Sequence, residues 1–214
     1  MSRVQKCLFW LLMAGLLAGF GWLLKPQIEA ALYLSRLLAA EAPQHLPVPV
    51  AGIAPAQLRD SWGAPRSEGR RHQGIDIFAP RGRPVLSTTE GIVLRVGENR
   101  LGGLVVFVLG PGGQRHYYAH LDTQAPLEAG QRIQAGTPLG TVGTTGNARG
   151  TPPHLHYGIY GAGGALNPYP LLRPPPAARS LPAAICGVTC AASVTIRSTS
   201  PVITDIIASP DLPL

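Results

Sequence analysis

Apolar positions along the chain follow two contrasting patterns. From Cys7 to Leu24 the sequence is uncharged and apolar, and these residues would form a helix about 27 Å long, enough to cross the hydrocarbon core of a bilayer. Beyond residue 57 the apolar residues come in short runs, rich in β-branched and aromatic residues and separated by glycine and proline. The sequence therefore predicts one membrane-length helix followed by a β-rich domain.

The apolar N-terminal stretch has two interpretations. A cleaved signal peptide usually has a shorter apolar core with a small-residue cleavage site directly after it, whereas Lys25, Pro26 and Gln27 follow here. The nearest small-x-small sequence, at residues 40–42, lies far downstream. An uncleaved anchor is therefore favoured. Basic residues before the stretch predict a cytoplasmic amino terminus, with one pass through the inner (cytoplasmic) membrane and the domain in the periplasm or cell-wall space.

The segment after the apolar stretch is predicted to form a stalk and a linker. From Gln27 to Glu41 apolar residues recur at helical spacing, and four prolines between positions 43 and 55 then disfavour both helix and sheet interior. The predicted organisation is a membrane anchor over residues 1–25, a helical stalk and Pro-rich linker over 26–56, a β domain over 57–172 and a tail of low order over 173–214.

Seven runs in the β-rich region are predicted to be strands. They are GIDIF, PVLST, GIVLRV, LVVFVL, QRHYYAHL, PLGTV and HLHYGIY. The fourth and fifth runs flank Gly110-Pro111-Gly112-Gly113, which predicts a hairpin. A chain of 214 residues suffices for one domain with appendages rather than for two independent cores. The seven strand runs therefore predict a single all-β domain, with an antiparallel sheet or sandwich.

Charge and cysteine content narrow the possible partners. A net charge of +7 favours anionic partners such as nucleic acid, phospholipid headgroups or acidic wall polymers. The sequence contains neither basic residues interleaved with aromatics nor a reading helix, so no nucleic-acid partner is expected. Cys7 lies in the apolar stretch, and Cys186 and Cys190 in the tail form either a small disulfide or two apolar positions. The domain therefore has no cysteine framework.

Histidines concentrate in the β-rich region, which holds five of the six. On a strand, His154 and His156 would point to one side about 6.6 Å apart, so one metal could take either or both. His72 and Asp76 would lie roughly 13 Å apart on an extended strand, whereas two zinc ligands each sit only about 2 Å from the metal. The chain must therefore bend between them, and Gly74 can supply the bend.

Four motifs occur in order along the domain. They are HQGIDIFAPRGRPV (72–85), YYAHL (117–121), GQRIQAGTPLGTVGTTGN (130–147) and HLHYGIY (154–160). Together they resemble the lysostaphin-type, LytM-like zinc endopeptidases of bacterial cell walls, over roughly residues 58–168. The resemblance implies the duplicated hybrid motif fold of that family and Zn²⁺ held by His72, Asp76 and His156. It also implies that His120 and His154 are catalytic and lie outside the ligand set.

The implied activity is hydrolysis of peptide bonds in peptidoglycan, in cross-links or stem peptides, by zinc-activated water. Three protein ligands leave one zinc position for water, as in catalytic sites. No H-E-x-x-H sequence provides a glutamate base, so a histidine must handle the proton. His120 and His154 are the candidates, and the sequence leaves open which of them orients or deprotonates the water and which stabilises the developing oxyanion. The alternatives are a non-catalytic zinc-containing wall-binding or regulatory module, or a zinc amidase of the cell wall.

Further residues are candidates for substrate binding. By strict strand alternation, His116 and Tyr118 share a face with His120 and could line a groove, although His116 is also typical of a surface histidine and Tyr118 of a packing residue. Three arginines in turns beside the motifs could favour an acidic peptide, with solvated surface charge as the alternative. They are Arg81, Arg83 and Arg149.

Overall fold

The computed structural model describes residues 2–66 and 69–173. Its two α-helices are α1 (Arg3–Ala39) and α2 (Tyr169–Leu172). Its strands are β1 (Ile75–Phe78), β2 (Pro84–Leu86), β3 (Gly91–Asn99), β4 (Gly103–Leu109), β5 (Arg115–Gln124), β6 (Arg132–Ile133), β7 (Pro138–Val142), β8 (His154–Gly161) and β9 (Gly164–Leu166). The predicted tail, with Cys186 and Cys190, lies beyond residue 173 and so outside the described residues.

The strands form one antiparallel sheet. Its main path runs β1-β8-β5-β4-β3-β6, with β9 paired to β8 and with β7 joining β2 to β5. All seven predicted runs are strands, and the predicted hairpin is the β4–β5 pair, so the all-β antiparallel prediction is confirmed. The sequence missed only β6 and β9, whose two and three residues are too short to show an alternating pattern.

Strand β8 shows how the core positions the histidines. Leu155, Tyr157 and Ile159 are fully buried in the hydrophobic core. Because successive side chains on a strand point to opposite faces, burying these three turns His154 and His156 together toward the other face of the sheet.

The proline-containing segment before the sheet packs against the domain, which corrects the prediction of a separate linker. Leu46 and Val50 are 7% and 1% exposed and belong to the same core as the strands. The backbone N–H of Leu46 donates to Leu171, and Val50 forms a β-bridge with Val85. The prolines do exclude regular structure, but apolar side chains between them are buried. A domain boundary at residue 57 would therefore leave part of the core outside the domain.

Helix α1 is continuous through Pro26, so the predicted anchor and stalk form one helix of 37 residues. Its N-terminal part is apolar, long enough to cross a membrane and not buried by the domain. Its C-terminal end contacts the domain, since Arg36 pairs with Glu90 at 2.7 Å and Leu37 is 1% exposed. The guanidinium of Arg132 also lies over the ring of Tyr33. The helix end is thus held against the sheet domain.

Candidate metal centre and active site

Three predicted ligand residues come together at one end of the β1–β8 pair. Asp76 and His156 are direct partners in the strand register, and His72 lies just before β1. His72 Nε2 lies 2.8 Å from His156 Nδ1 and 3.1 Å from Asp76 Oδ1, and His156 Nδ1 lies 3.2 Å from the same oxygen. A tetrahedral ion with ligands about 2.0–2.1 Å away would separate them by roughly 3.4 Å. The triangle therefore fits such an ion after a small opening.

Gly74 has a reason for being glycine other than the predicted bend. Its backbone is not in the left-handed region, but a Cβ there would lie 2.7 Å from His156 Cε1, 2.8 Å from His156 Nε2 and 2.6 Å from the Tyr157 carbonyl oxygen. The imidazole of His156 therefore occupies the space that any larger residue would need. Glycine at position 74 allows this ring to approach the chain between His72 and Asp76.

Backbone carbonyls orient three of the site histidines in the same way. In each, Nδ1 lies within hydrogen-bond distance of a carbonyl oxygen, which can only accept, so the proton resides on Nδ1 and Nε2 keeps its lone pair. The pairs are His72 with Ser61 (2.7 Å), His120 with Thr145 (2.9 Å) and His154 with Pro152 (2.9 Å). The Nε2 atom of His72 thereby faces the other two members of the triangle.

His154 and His156 differ in their distance from the triangle. His156 contributes Nδ1 at 3.2 Å from Asp76 Oδ1, whereas His154 Nε2 is 4.0 Å from that oxygen. The His154 ring instead lies 5.0 Å from the ring of His120, centre to centre. The geometry thus groups His156 with the possible metal ligands and His154 with His120.

His120 reaches the site through an irregular backbone. It is the one non-glycine residue with positive φ in the described chain, at 62°, a conformation that is uncommon outside glycine. Its N–H donates to the Gly102 carbonyl at 2.7 Å, and the β5 register shifts around it. Strict alternation is broken there, so His120 lies on the face of His154 and His156.

His116 and Tyr118 consequently lie on the opposite face, which contradicts their prediction as substrate-contacting residues. Both are 0% exposed. His116 Nδ1 lies 2.8 Å from the Tyr157 hydroxyl, and the Tyr118 hydroxyl lies 2.9 Å from Thr88 Oγ1. Burial lowers the pKa of His116 to about 4. The surface interpretation of His116 is therefore wrong, and the packing interpretation of Tyr118 describes its position.

Charge and burial at the site keep Asp76 ionised and the imidazoles of His156 and His120 neutral. Burial alone would raise the pKa of Asp76, but the adjacent His156 and His72 outweigh it and hold that pKa well below its ordinary value. Burial lowers the pKa of His156, and burial together with the neighbouring His156 and His154 lowers that of His120 to about 4. An anionic carboxylate beside neutral imidazoles is the donor state that a divalent metal requires.

Sequence reasoning missed three residues that support the site. Arg66 forms an ion pair with Asp76 Oδ2, and Ser61 Oγ accepts from the Asp76 backbone N–H at 3.0 Å. The ring of Tyr117 lies edge-on to that of His156, with centres 5.7 Å apart. The motif DSWGAPR, which contains Ser61 and Arg66, was the available signal, but neither spacing nor charge indicates that it folds over Asp76.

The chain matches known proteins over the domain. Residues 70–168 match the family model described as Peptidase family M23. The L-Ala–D-Glu endopeptidase of Bacillus subtilis is 41% identical over 127 residues, which cover 54% of this chain and 39% of the relative. The peptidoglycan DD-endopeptidase ShyC of Vibrio cholerae is 33% identical over 88 residues, which cover 41% and 20%. The match thus spans less than half the length of these two relatives.

Solved structures agree with the sequence matches. A protein from Ruminococcus gnavus described as a LytM-type glycyl-glycine endopeptidase aligns with a TM-score of 0.51 at 34% identity, over 64% of this chain and 61% of that one. The catalytic domain of lysostaphin from Staphylococcus simulans aligns with a TM-score of 0.50 at 26% identity, over 56% and 95%. The chain therefore contains a peptidase family M23 domain of the LytM and lysostaphin type.

Proposed function

We propose that this protein is a zinc metalloendopeptidase that hydrolyses peptide bonds of peptidoglycan, in cross-links or stem peptides. The observation that carries the proposal is the triangle of His72, Asp76 and His156, with His120 and His154 beside it, in a family M23 domain. The names of two relatives, an L-Ala–D-Glu endopeptidase and a peptidoglycan DD-endopeptidase, support the substrate class.

The donor set suits zinc better than harder cations. Two imidazole nitrogens and one carboxylate oxygen are typical zinc ligands, whereas magnesium and calcium prefer oxygen throughout. Three protein ligands would leave a fourth position for water or substrate, as in catalytic zinc sites. Bound there, zinc would lower the pKa of the attacking water and polarise the scissile carbonyl.

His120 and His154 are the proposed proton-handling residues. Each ring holds its proton on Nδ1 against a carbonyl, so Nε2 is a free base. Either Nε2 can take the proton of the attacking water, and the ring that has taken it becomes a donor to the leaving amine or to the developing oxyanion. The lowered pKa of His120 keeps this ring neutral at neutral pH, so its Nε2 lone pair is not occupied by a proton.

Alanine variants separate metal binding from proton transfer. Replacing His72, Asp76 or His156 should lower zinc content and cleavage of purified peptidoglycan together. Replacing His120 or His154 should keep about one zinc per chain and lower turnover roughly 10²- to 10⁴-fold, the usual cost of losing general acid–base catalysis. Metal analysis and mass spectrometry of new peptide termini on the same samples provide both readouts.

Two results would contradict the proposed roles. Loss of zinc in His154→Ala with retention in His156→Ala would reverse the assignment of this pair. A wild-type protein that binds zinc and cleaves no wall substrate would instead support a non-catalytic wall-binding or regulatory module, and release of the peptide at its bond to the glycan would identify an amidase.

We also propose that α1 anchors the protein in the inner membrane by a single pass, with the M23 domain on the outer side. The length of the apolar part of α1, its exposure and the basic residues before it support this placement. It would place the candidate site in the compartment that contains the proposed substrate.

A further inference from the structure

We propose that a pocket beside the candidate active site binds a free carboxylate of the substrate peptide, an inference that rests on the proposed peptidase function. The pocket has a volume of about 440 Å³. It is lined by Glu98, Asn99, Arg100, Gly146 and Arg149, which come from the β3–β4 turn and from the loop between β7 and β8. We call it the arginine pocket.

The two segments that form the arginine pocket also hold His120. They are joined by the Asn147 N–H, which donates to the Leu101 carbonyl at 2.9 Å. From one segment, the Gly102 carbonyl accepts from the His120 backbone N–H at 2.7 Å; from the other, the Thr145 carbonyl lies 2.9 Å from His120 Nδ1. The pocket wall and the proposed proton-handling residue are therefore parts of one connected structure.

One aromatic side chain contacts both a residue of the pocket and a candidate metal ligand. Asn99 lines the pocket and donates from Nδ2 to the Tyr117 hydroxyl at 3.3 Å, while its Oδ1 accepts from the Gly102 N–H at 2.6 Å. The Tyr117 ring in turn lies edge-on to His156. An extended peptide held at the metal centre could thus place a neighbouring residue in the arginine pocket.

Among the residues that the structure describes, the arginines of this pocket have no side-chain partner. Within residues 2–66 and 69–173, neither Arg100 nor Arg149 makes a side-chain hydrogen bond or ion pair, and both are exposed. Arg81, another turn arginine beside a motif, is instead paired with Asp122. Two unpaired guanidinium groups in one pocket repel each other, and a carboxylate between them would relieve this repulsion while accepting paired hydrogen bonds.

Glu98 restricts the kind of anion that fits. It lines the same pocket and forms no ion pair with either arginine within the described chain, so the pocket carries a net charge of one positive unit from two arginines and one glutamate. A singly charged carboxylate balances this charge, whereas a doubly charged phosphate would be repelled by Glu98. The chemistry therefore favours an acidic side chain or a terminal carboxylate of a peptide.

Kinetics with matched substrates test the arginine pocket. The assay uses the full-length protein in detergent and soluble cross-linked peptidoglycan fragments as substrates. One set of fragments has free carboxylates, and in the other set these carboxylates are converted to amides. Arg100→Gln and Arg149→Gln should each raise KM for free fragments by about fivefold, as expected for an exposed ion pair, with kcat unchanged. On amidated fragments the wild-type protein should show at least this rise in KM, because both arginines then lack their partner, and the variants should show no further loss relative to the wild type. Fragments amidated only at the C-terminus distinguish terminal from side-chain carboxylates.

Arg132→Gln is the matched control, because it removes one exposed charge on β6, at the opposite end of the strand path from β1 and outside the pocket, and should behave as the wild type. Equal preference for free carboxylates in the pocket variants and the wild type would overturn the proposal, as would an equal loss in the control. If no fragment is cleaved, the proposed function fails. Calorimetry of the same fragments binding to zinc-depleted protein then tests the pocket separately. The proposal holds if only the pocket variants lose the preference for free carboxylates.

Discussion

Substitution of Gly74 by alanine tests whether the close approach of His156 assembles the metal site. The added Cβ would meet three atoms at 2.6 to 2.8 Å, two of them in the His156 ring. Carbon contacts are normally about 3.5–4.0 Å, so the overlap is close to an ångström and either the ring or the strand must move. Overpacking of this kind typically costs about 1–3 kcal/mol.

If this cost falls on the ligand geometry, zinc affinity should drop roughly 10- to 100-fold, since about 1.4 kcal/mol corresponds to a factor of ten. Competition with a chelating dye measures the affinity, and urea unfolding of the metal-free protein shows how much of the cost falls on the fold. Gly163→Ala is the control, because its Cβ would meet nothing within 4 Å and its backbone is not left-handed. Zinc affinity of Gly74→Ala within threefold of the wild type would refute the reasoning.

Three further predictions concern stability and location. A fragment starting at residue 51 should unfold with about 3–6 kcal/mol less free energy than one starting at residue 43, because it lacks the buried Leu46 and Val50; equal urea midpoints would contradict this. The pKa of His116, about 4 when folded against about 6.5 when unfolded, means that its contribution to stability is complete above pH 6.5 and is lost as the pH falls toward 4. Between pH 7 and pH 4 the metal-free wild type should therefore lose about 3 kcal/mol more than His116→Gln, and parallel pH profiles would exclude the effect. The full-length protein should sediment with membranes and resist extraction by high salt, whereas a mature soluble form starting near Ala42 would show that the apolar stretch is a signal peptide.

Local patterns in the sequence determined the β architecture. Alternating or continuous apolar runs bounded by glycine and proline predict strands because burial on one or both faces of a sheet imposes those periods. The same local rule places His154 and His156 on one face, and the spacing of His72 and Asp76 requires a bend. The candidate residues for a metal site could therefore be named from the sequence.

Tertiary contacts decided where the side chain of each of these histidines lies. The left-handed backbone at His120 depends on its bond to Gly102 and moves this side chain away from the face of His116 and Tyr118, which alternation alone could not predict. His154 and His156 have the same local pattern, and they differ because the carbonyl of Pro152 orients one ring while the register with Asp76 brings the other to the carboxylate.

The same reason explains why the proline-rich segment could not be assigned correctly from its sequence. Prolines show which regular structures a segment avoids, but whether Leu46 and Val50 are buried depends on partners such as Val85 and Leu171, which are distant in the chain. Sequence periodicity depends only on residues close together in the chain, and it indicates which segments form strands and which side chains share a face of the sheet. Contacts between distant segments, which orient the histidines and close the core, are decided only when the chain folds.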